Sequence, residues 1–350
     1  MRWGLVAAAA VLAGLLVAPA AAGAAVDPCS GWSARTIASG LGSLENIEFD
    51  GQGGLILSAS DENAVERLGR DGSIKKLIEN VASPGGLRVR SGVLYFNTGD
   101  AIANGVLDKR DSTLETLDLK TGRHAVYAGG LPMANGLVFL PNGDVLISRD
   151  FGGAPAITVI PKGDRAHARG WAQTDDSNGM AVDPTGKFVY VNQTFKHDSP
   201  VLRIPIADPS RIDVIARVGE AKGLDDMTID RAGVLYLAAN GTGEVLRLDP
   251  RSGASCTIAG GFRNTSAVKF GCGPGWPSSH LFVVGFDGVV RELTPPSGTA
   301  AAHGDCSGRL PPAPAAKKKK RRCSKPKHHK AGTKHYLRRC TKRHKHHRHG

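Results

Sequence analysis

From Glu45 onward, apolar and polar positions alternate in short runs bounded by Gly, Pro, Asn or Asp. Alternation of period two predicts half-buried strands, and the bounding residues predict turns. No long stretch keeps the 3.6-residue period of an amphipathic helix. One phrase recurs: a polar residue, an apolar strand, a turn with Asp or Gly, and a second strand that usually carries an aromatic. It runs Glu45-Asn46-Ile47-Glu48-Phe49, then Gly54-Leu55-Ile56-Leu57, and returns as Gly86-Leu87-Arg88-Val89 with Gly92-Val93-Leu94-Tyr95. Later copies open at Asn135-Gly136-Leu137-Val138, Asn178-Gly179-Met180-Ala181, Asp225-Asp226-Met227-Thr228 and Thr265-Ser266-Ala267-Val268.

The six copies start roughly 40 to 50 residues apart, which is the repeat length of a four-stranded propeller blade. The pattern therefore predicts an all-β chain folded as a six-bladed β-propeller over 27–310. A β-sandwich or barrel is the bland alternative, and six matched repeats argue against it. Ala34 to Ser39 reads as an outermost strand with no inner strands before it. Val289-Val290-Arg291-Glu292-Leu293 ends a last blade that has no outermost strand after it. Pairing the two would close the ring and remove two exposed edges.

Both ends of the chain stand apart from the repeats. Arg2, the apolar run Leu5 to Val17 and the Ala22-Gly23-Ala24 cleavage pattern read as a secretory signal peptide over 1–25, in preference to a membrane anchor. At the other end, Lys317 to Gly350 holds 16 of the 45 Lys and Arg and no acid, so the preceding chain carries 29 bases against all 32 acids. The basic character is thus local to the tail, which excludes reading the whole protein as a nucleic-acid binder. Pro311-Pro312-Ala313-Pro314 makes a stiff linker, and the tail beyond it, with seven His and few apolar residues, is expected to be disordered. An anionic cell-wall polymer or a membrane surface is the partner expected for it, with metal binding by its His cluster as the competing use. No specific nucleic acid is expected, because no base-reading element accompanies the charges. The expected location is extracellular or cell-wall associated, and the expected state a monomer.

In an oxidising compartment the six cysteines should pair. Cys256 and Cys272 bracket one repeat and are expected to bridge locally. Cys29 and Cys306 flank the repeats, where a bridge would help close the ring, and Cys323 and Cys340 lie in the tail.

The innermost strand of each propeller blade begins at one rim of the central channel, so the residues that open the copies should converge. They are Glu45, Gly86, Asn135, Asn178, Asp225 and Thr265. Two carboxylates and two carboxamides on one axis offer oxygen ligands for a hard cation, with calcium first and magnesium, manganese or zinc as alternatives. The competing reading is that Asn-Gly and Asp-Asp serve only as turn residues.

Here the chain resembles the senescence-marker-protein (regucalcin), gluconolactonase and luciferin-regenerating-enzyme family. Asn178-Gly179-Met180-Ala181-Val182-Asp183-Pro184-Thr185-Gly186 and Leu224-Asp225-Asp226-Met227-Thr228-Ile229-Asp230 carry the resemblance most clearly. It implies a propeller that hydrolyses lactones with one divalent cation in the channel, held by Glu45, Asn178 and Asp225. Asn135 would contact the cation's neighbours or the substrate, and Asp225 would act as general base. Sugar-lactone members often place Arg two residues before the Asn of the third blade, where this chain has Met133. Arg149 is a candidate replacement or a solvated surface charge. The loops after each second strand add Asp100, Asp150, Phe151, Lys196 and His197 as substrate contacts, with His197 a possible acid or base. A non-enzymatic secreted module that binds a small ligand or wall component is the alternative to a small-molecule lactone or ester hydrolase.

Overall fold

A computed structural model describes residues 28–297 and 303–304. The expected signal peptide, the linker and tail from 311 onward, and Cys306, Cys323 and Cys340 lie outside the described residues. The short alternating runs form strands throughout, with one single-turn helix among them. The first strand, β1 (Ser33–Ala38), is followed by blade I: β2 (Leu44–Phe49), β3 (Gly54–Ala59), β4 (Ala64–Gly69) and β5 (Ile74–Ile78). Blade II comprises β6 (Leu87–Arg90), β7 (Val93–Thr98), β8 (Ser112–Asp118) and β9 (His124–Leu131), with helix α1 (Ile102–Val106) inserted before β8. Blade III holds β10 (Leu137–Phe139), β11 (Val145–Ser148), β12 (Ile157–Ile160) and β13 (Arg169–Ala172). Blade IV holds β14 (Ser177–Val182), β15 (Phe188–Gln193), β16 (Pro200–Pro205) and β17 (Asp213–Arg217). Blade V is β18 (Leu224–Ile229), β19 (Leu235–Ala239), β20 (Glu244–Leu248) and β21 (Ser255–Ala259). Blade VI is β22 (Thr265–Phe270), β23 (Leu281–Gly285) and β24 (Val290–Thr294).

Six four-stranded antiparallel sheets result, and the sixth runs β22, β23, β24, β1. The expected closure is therefore present: Ser33 pairs with Thr294, Ala34 with Leu293 and Arg35 with Glu292. Arg35 Nη2 also donates to Glu292 Oε2 at 2.6 Å.

The inner strands differ from simple alternation, because both faces of a blade are covered by its neighbours. Every residue of β3 is buried, whereas β5 is exposed over its first three residues. The core accordingly divides into one apolar cluster at each of the six junctions. At the junction of blades VI and I, Phe49 packs on Trp276 and Phe282 with ring centroids 5.4 and 5.3 Å apart.

Around the channel the junctions are polar and tightly spaced. Ser58 Oγ donates to the Gly85 carbonyl of the next blade (2.6 Å), and Asn97 Nδ2 to that of Asn135 (2.8 Å). Ser148 Oγ reaches the Asn178 carbonyl (2.5 Å), Asn192 Nδ2 that of Asp225 (2.6 Å), and Ser266 Oγ that of Leu44 (2.6 Å). The glycines that follow Asn135 and Asn178 sit here, and neither has a positive φ. They are required by closeness: a Cβ on Gly136 would lie 2.6 Å from the Asn178 carbonyl oxygen, and one on Gly179 would lie 2.4 Å from that of Asp225. Strand glycine is thus used to let a neighbouring backbone approach, and turn chemistry does not account for these pairs. Gly179→Ala is expected to cost about 1–3 kcal/mol by overpacking against this backbone, read from urea unfolding.

The cysteine expectation is corrected. Cys256 bridges Cys29, with Cα atoms 6.0 Å apart across 227 residues of sequence, and it does not pair with Cys272. Cys256 lies on β21, the outermost strand of blade V, and Cys29 just precedes β1, the outermost strand of blade VI. Cys272 follows β22, the innermost strand of blade VI. Nearness in sequence misleads here because consecutive strands across a blade boundary lie at opposite radii. The bridge is consistent with an oxidising compartment. No helix among the described residues is long and apolar enough to cross a membrane.

Candidate functional site

The channel end of the innermost strands carries a repeated irregularity. Register slips by one residue between Leu44 and Ile47, Ser177 and Met180, Leu224 and Met227, and Thr265 and Ala267. Each slip is a β-bulge, which takes side chains out of the strand's alternation and re-aims them. The bulges hold Glu45 and Asn46, Asn178 and Gly179, Asp225 and Asp226, and Ser266. Burial and the charges of Asp150 and Asp226 raise the Glu45 carboxyl to about 8. Glu45 belongs to blade I, Asp150 follows the second strand of blade III, and Asp226 belongs to blade V. Groups from such separated blades can meet only near the ring axis.

Asp225 is pushed well above the ordinary aspartate range by burial, then by Glu45, Asp150 and Asp226. Asp100 is raised likewise by burial, then by Glu45, Asp150 and Asp225, and it is hydrogen-bonded by the Asn135 side chain. Burial lifts Asp150 to about 6. Asn178 Nδ2 approaches Asp150 Oδ2 at 3.5 Å, and Asn240 Nδ2 donates to Asp225 Oδ2 at 3.2 Å. Four carboxylates thus crowd one low-dielectric space and hold protons that surface carboxylates would release. Asn46 Nδ2 donates to Asp226 Oδ2 (2.9 Å), Arg88 Nη2 lies 3.9 Å from Asp226 Oδ1, and Lys269 Nζ binds Glu48 Oε2 (2.7 Å).

Several acceptors in this space have no donor. Asp100 Oδ1, Asp150 Oδ1 and Asn178 Oδ1 are buried and unsatisfied. Buried oxygens normally find a partner, so orphans facing one space crowded with carboxyls fit a cation. The donors are all oxygen, which suits Ca²⁺, Mg²⁺ or Mn²⁺. Among the described residues, no three Asp, Glu, His or Cys groups close by themselves into a metal cluster. The oxygen set is instead shared between carboxylates and the carboxamide of Asn178.

The structure brings Glu45, Asn135, Asn178, Asp225 and Asp150 together. Asp150 and Asp100, expected as substrate contacts on the rim, lie within the carboxylate cluster. Arg149 is neither a solvated charge nor a free anchor: it is 6% exposed, with Nη1 on Asp108 Oδ1 (2.6 Å) and Nη2 on the Gly153 carbonyl (2.7 Å). His197 is exposed on the loop after β15, and Lys196 pairs with Asp175 at 2.7 Å. Asn46, Asp226, Asn192 and Asn240 belong to the site or its support without standing out in the sequence. Asn192 and Asn240 do begin Asn-x-Ser/Thr triplets, a pattern with another meaning. Asn192 is fully buried, with its carboxamide spent on the Gly179 amide and the Asp225 carbonyl.

Comparison with known families finds that residues 155–284 match the model of the SMP-30/Gluconolactonase/LRE-like region. Comparison with curated proteins gives no match. Among solved structures, a gluconolactonase from Xanthomonas campestris is 18% identical, covering 76% of this chain and 90% of its own, with TM-score 0.61. The calcium-binding protein regucalcin from Agrobacterium tumefaciens is 19% identical over 81% of this chain and 97% of its own, with TM-score 0.58. A virginiamycin B lyase from Staphylococcus aureus, 13% identical, covers 75% of this chain and 99% of its own, with TM-score 0.51. At such identities the likeness is one of fold, and this propeller fold serves more than one chemistry. The SMP-30-like region contains Asn178, Asn192, Asp225, Asp226 and Asn240. Glu45, Asp100, Asn135 and Asp150 lie before its first residue, so the site joins matched and unmatched parts of one ring.

Proposed function

We propose that the propeller is a lactonase-type hydrolase whose channel carboxylates hold one divalent cation, calcium first. The observation that carries this reading is the set of buried, donorless oxygens on Asp100, Asp150 and Asn178 among carboxylates that raise one another's proton affinity. Glu45, Asn178 and Asp225 would hold the cation, with Asp150 beside Asn178 completing the oxygen set. When bound, such a cation polarises an ester carbonyl and lowers the pKa of water beside it.

The chain's own groups do the rest. Asp225 accepts the proton of the attacking water, held in orientation by Asn240 on Oδ2. Water oxygen bonds to the carbonyl carbon, the ring C–O bond breaks, and the leaving oxygen takes that proton back from Asp225 to give the open hydroxy acid. Asn135, bonded to Asp100, holds that carboxyl within the cluster and can present its amide to the substrate. Secretion, with the basic tail resting on an anionic wall polymer or membrane surface and the propeller acting as a monomer, completes the reading.

The test is hydrolysis of a lactone panel with and without chelator, using the full chain and a chain ending at residue 310. The shortened chain removes the His-rich segment, which would bind metal independently. Turnover lost to chelator and restored by calcium in both chains is the expected result. Turnover indifferent to chelator would refute the cation's role; no turnover of any lactone would favour the ligand-binding alternative.

A further inference from the structure

The channel mouth is not uniformly polar. Helix α1 exposes Ile102 at 61% and Val106 at 65%, and Leu107 follows at 64%. In blade IV, Phe195 is 53% exposed and packs at a tilt against Phe151 of blade III with centroids 4.6 Å apart. These residues all lie on connections between second and third strands, the same rim at which β2, β14 and β18 begin. They are also knit together. A Cβ on Gly105 of α1 would sit 2.3 Å from Phe151 Cβ and 2.9 Å from Met133 Sδ, so the helix rests directly on both. Arg149, bound to Asp108 beyond the helix and to Gly153, clamps the two loops to each other.

This apolar lip continues straight into the carboxylate cluster. Asp100 lies two residues before Ile102, and Asp150 immediately precedes Phe151. A molecule whose reacting carbonyl reaches the cluster from the side of blades II to IV thus places its substituents against Phe151, Phe195 or α1. Large apolar side chains left exposed beside a concave polar site mark a surface with an occupant.

Building on the lactonase reading, we infer that the substrate is a lactone or ester bearing an alkyl or aryl substituent, which lies on the lip formed by Phe151, Phe195 and helix α1. Phe195 is the residue that sets this preference. A polyhydroxylated ring would strand its hydroxyls against the lip, where the exposed side chains offer no hydrogen-bond partner.

The experiment uses the calcium-loaded full chain and γ-lactones with substituents from methyl to octyl, alongside a sugar lactone. Binding of the matching lactams, which resist hydrolysis, is measured by calorimetry. The expected result is kcat/KM rising roughly two- to fourfold per added methylene over the first few carbons, with lactam affinity rising in parallel. Phe195→Ala should flatten both slopes, and Phe195→Leu should restore most of them. Sugar-lactone turnover exceeding that of the octyl lactone would overturn the inference and leave the hydrolase reading standing. Lactam affinity that climbs with chain length without turnover of any lactone would uphold the ligand class and overturn the hydrolase reading. If Phe195→Ala leaves both slopes unchanged and instead weakens binding to anionic lipid vesicles or shifts the sedimentation coefficient, the lip is an interface and the inference is wrong.

Discussion

Exchanging Asp225 for asparagine is expected to lower lactone turnover by about a thousandfold or more while leaving the propeller folded, since a general base in this position contributes on the order of 10²–10⁴. The substitution is isosteric and keeps the backbone carbonyl that Asn192 binds at 2.6 Å. It also removes one of four carboxylates that burial and mutual repulsion disfavour. The cation-free variant should therefore melt at or above the parent's temperature at pH 8. Activity and stability moving in opposite directions separates a functional carboxylate from a structural one. Asn240→Ala, which only frees Asp225 Oδ2, should cost about tenfold and shift the pH profile, as expected of a positioning residue. An Asp225→Asn protein that retains full turnover would remove Asp225 from the chemistry; one that unfolds would place it in the architecture.

The second large effect concerns pH. Glu45 is raised to about 8 and Asp150 to about 6. A carboxyl whose folded pKa exceeds its unfolded value stabilises the fold fully below the unfolded value. That contribution is lost as pH rises through the folded one. The cation-free propeller should therefore lose stability from about pH 4 to pH 8, by a few kcal/mol after allowance for the solvent that reaches half-buried Glu45, at about 1.4 kcal/mol per pKa unit. Calcium binding takes the place of those protons. The calcium-induced rise in melting temperature should be small at pH 5 and large at pH 8, and binding should release protons, seen as heats that differ between buffers. A shift of equal size at both pH values, with buffer-independent heats, would contradict a cation at these carboxylates.

Much of the fold is legible in the residues. The repeating phrase gives six blades, and the unmatched runs around Ala34 and Val290 give their closure through β1 and β24. What escapes sequence reading is contact across a blade boundary. Inner and outer strands are legible from the phrase, but nearness in sequence put Cys256 with Cys272 when its neighbour across the boundary is Cys29. The bulges escape as well. One additional residue at the head of β2 or β18 leaves the apolar pattern unbroken, yet it is what places Asp226 and Asn46 near the axis along with Asp225 and Glu45. The Asn-Gly pairs were ambiguous because glycine serves turns and close backbone contacts alike. Only the distance from Gly179 to the Asp225 carbonyl distinguishes the two.

The pairing of β1 with β24 has a further consequence, in time rather than in space. β1 finds its partner only when β24 appears, and the thiol of Cys29 waits for blade V. Blades I to V can collapse as each junction is completed, because their strands pair with near neighbours in sequence. Blade VI alone depends on a contact spanning nearly the whole propeller, and such distant contacts form slowly. Until then β1 presents an unpaired edge, open to the wrong partner as much as to the right one. A chain interrupted within blade VI should accordingly hold most of its core and still be the species most prone to aggregate.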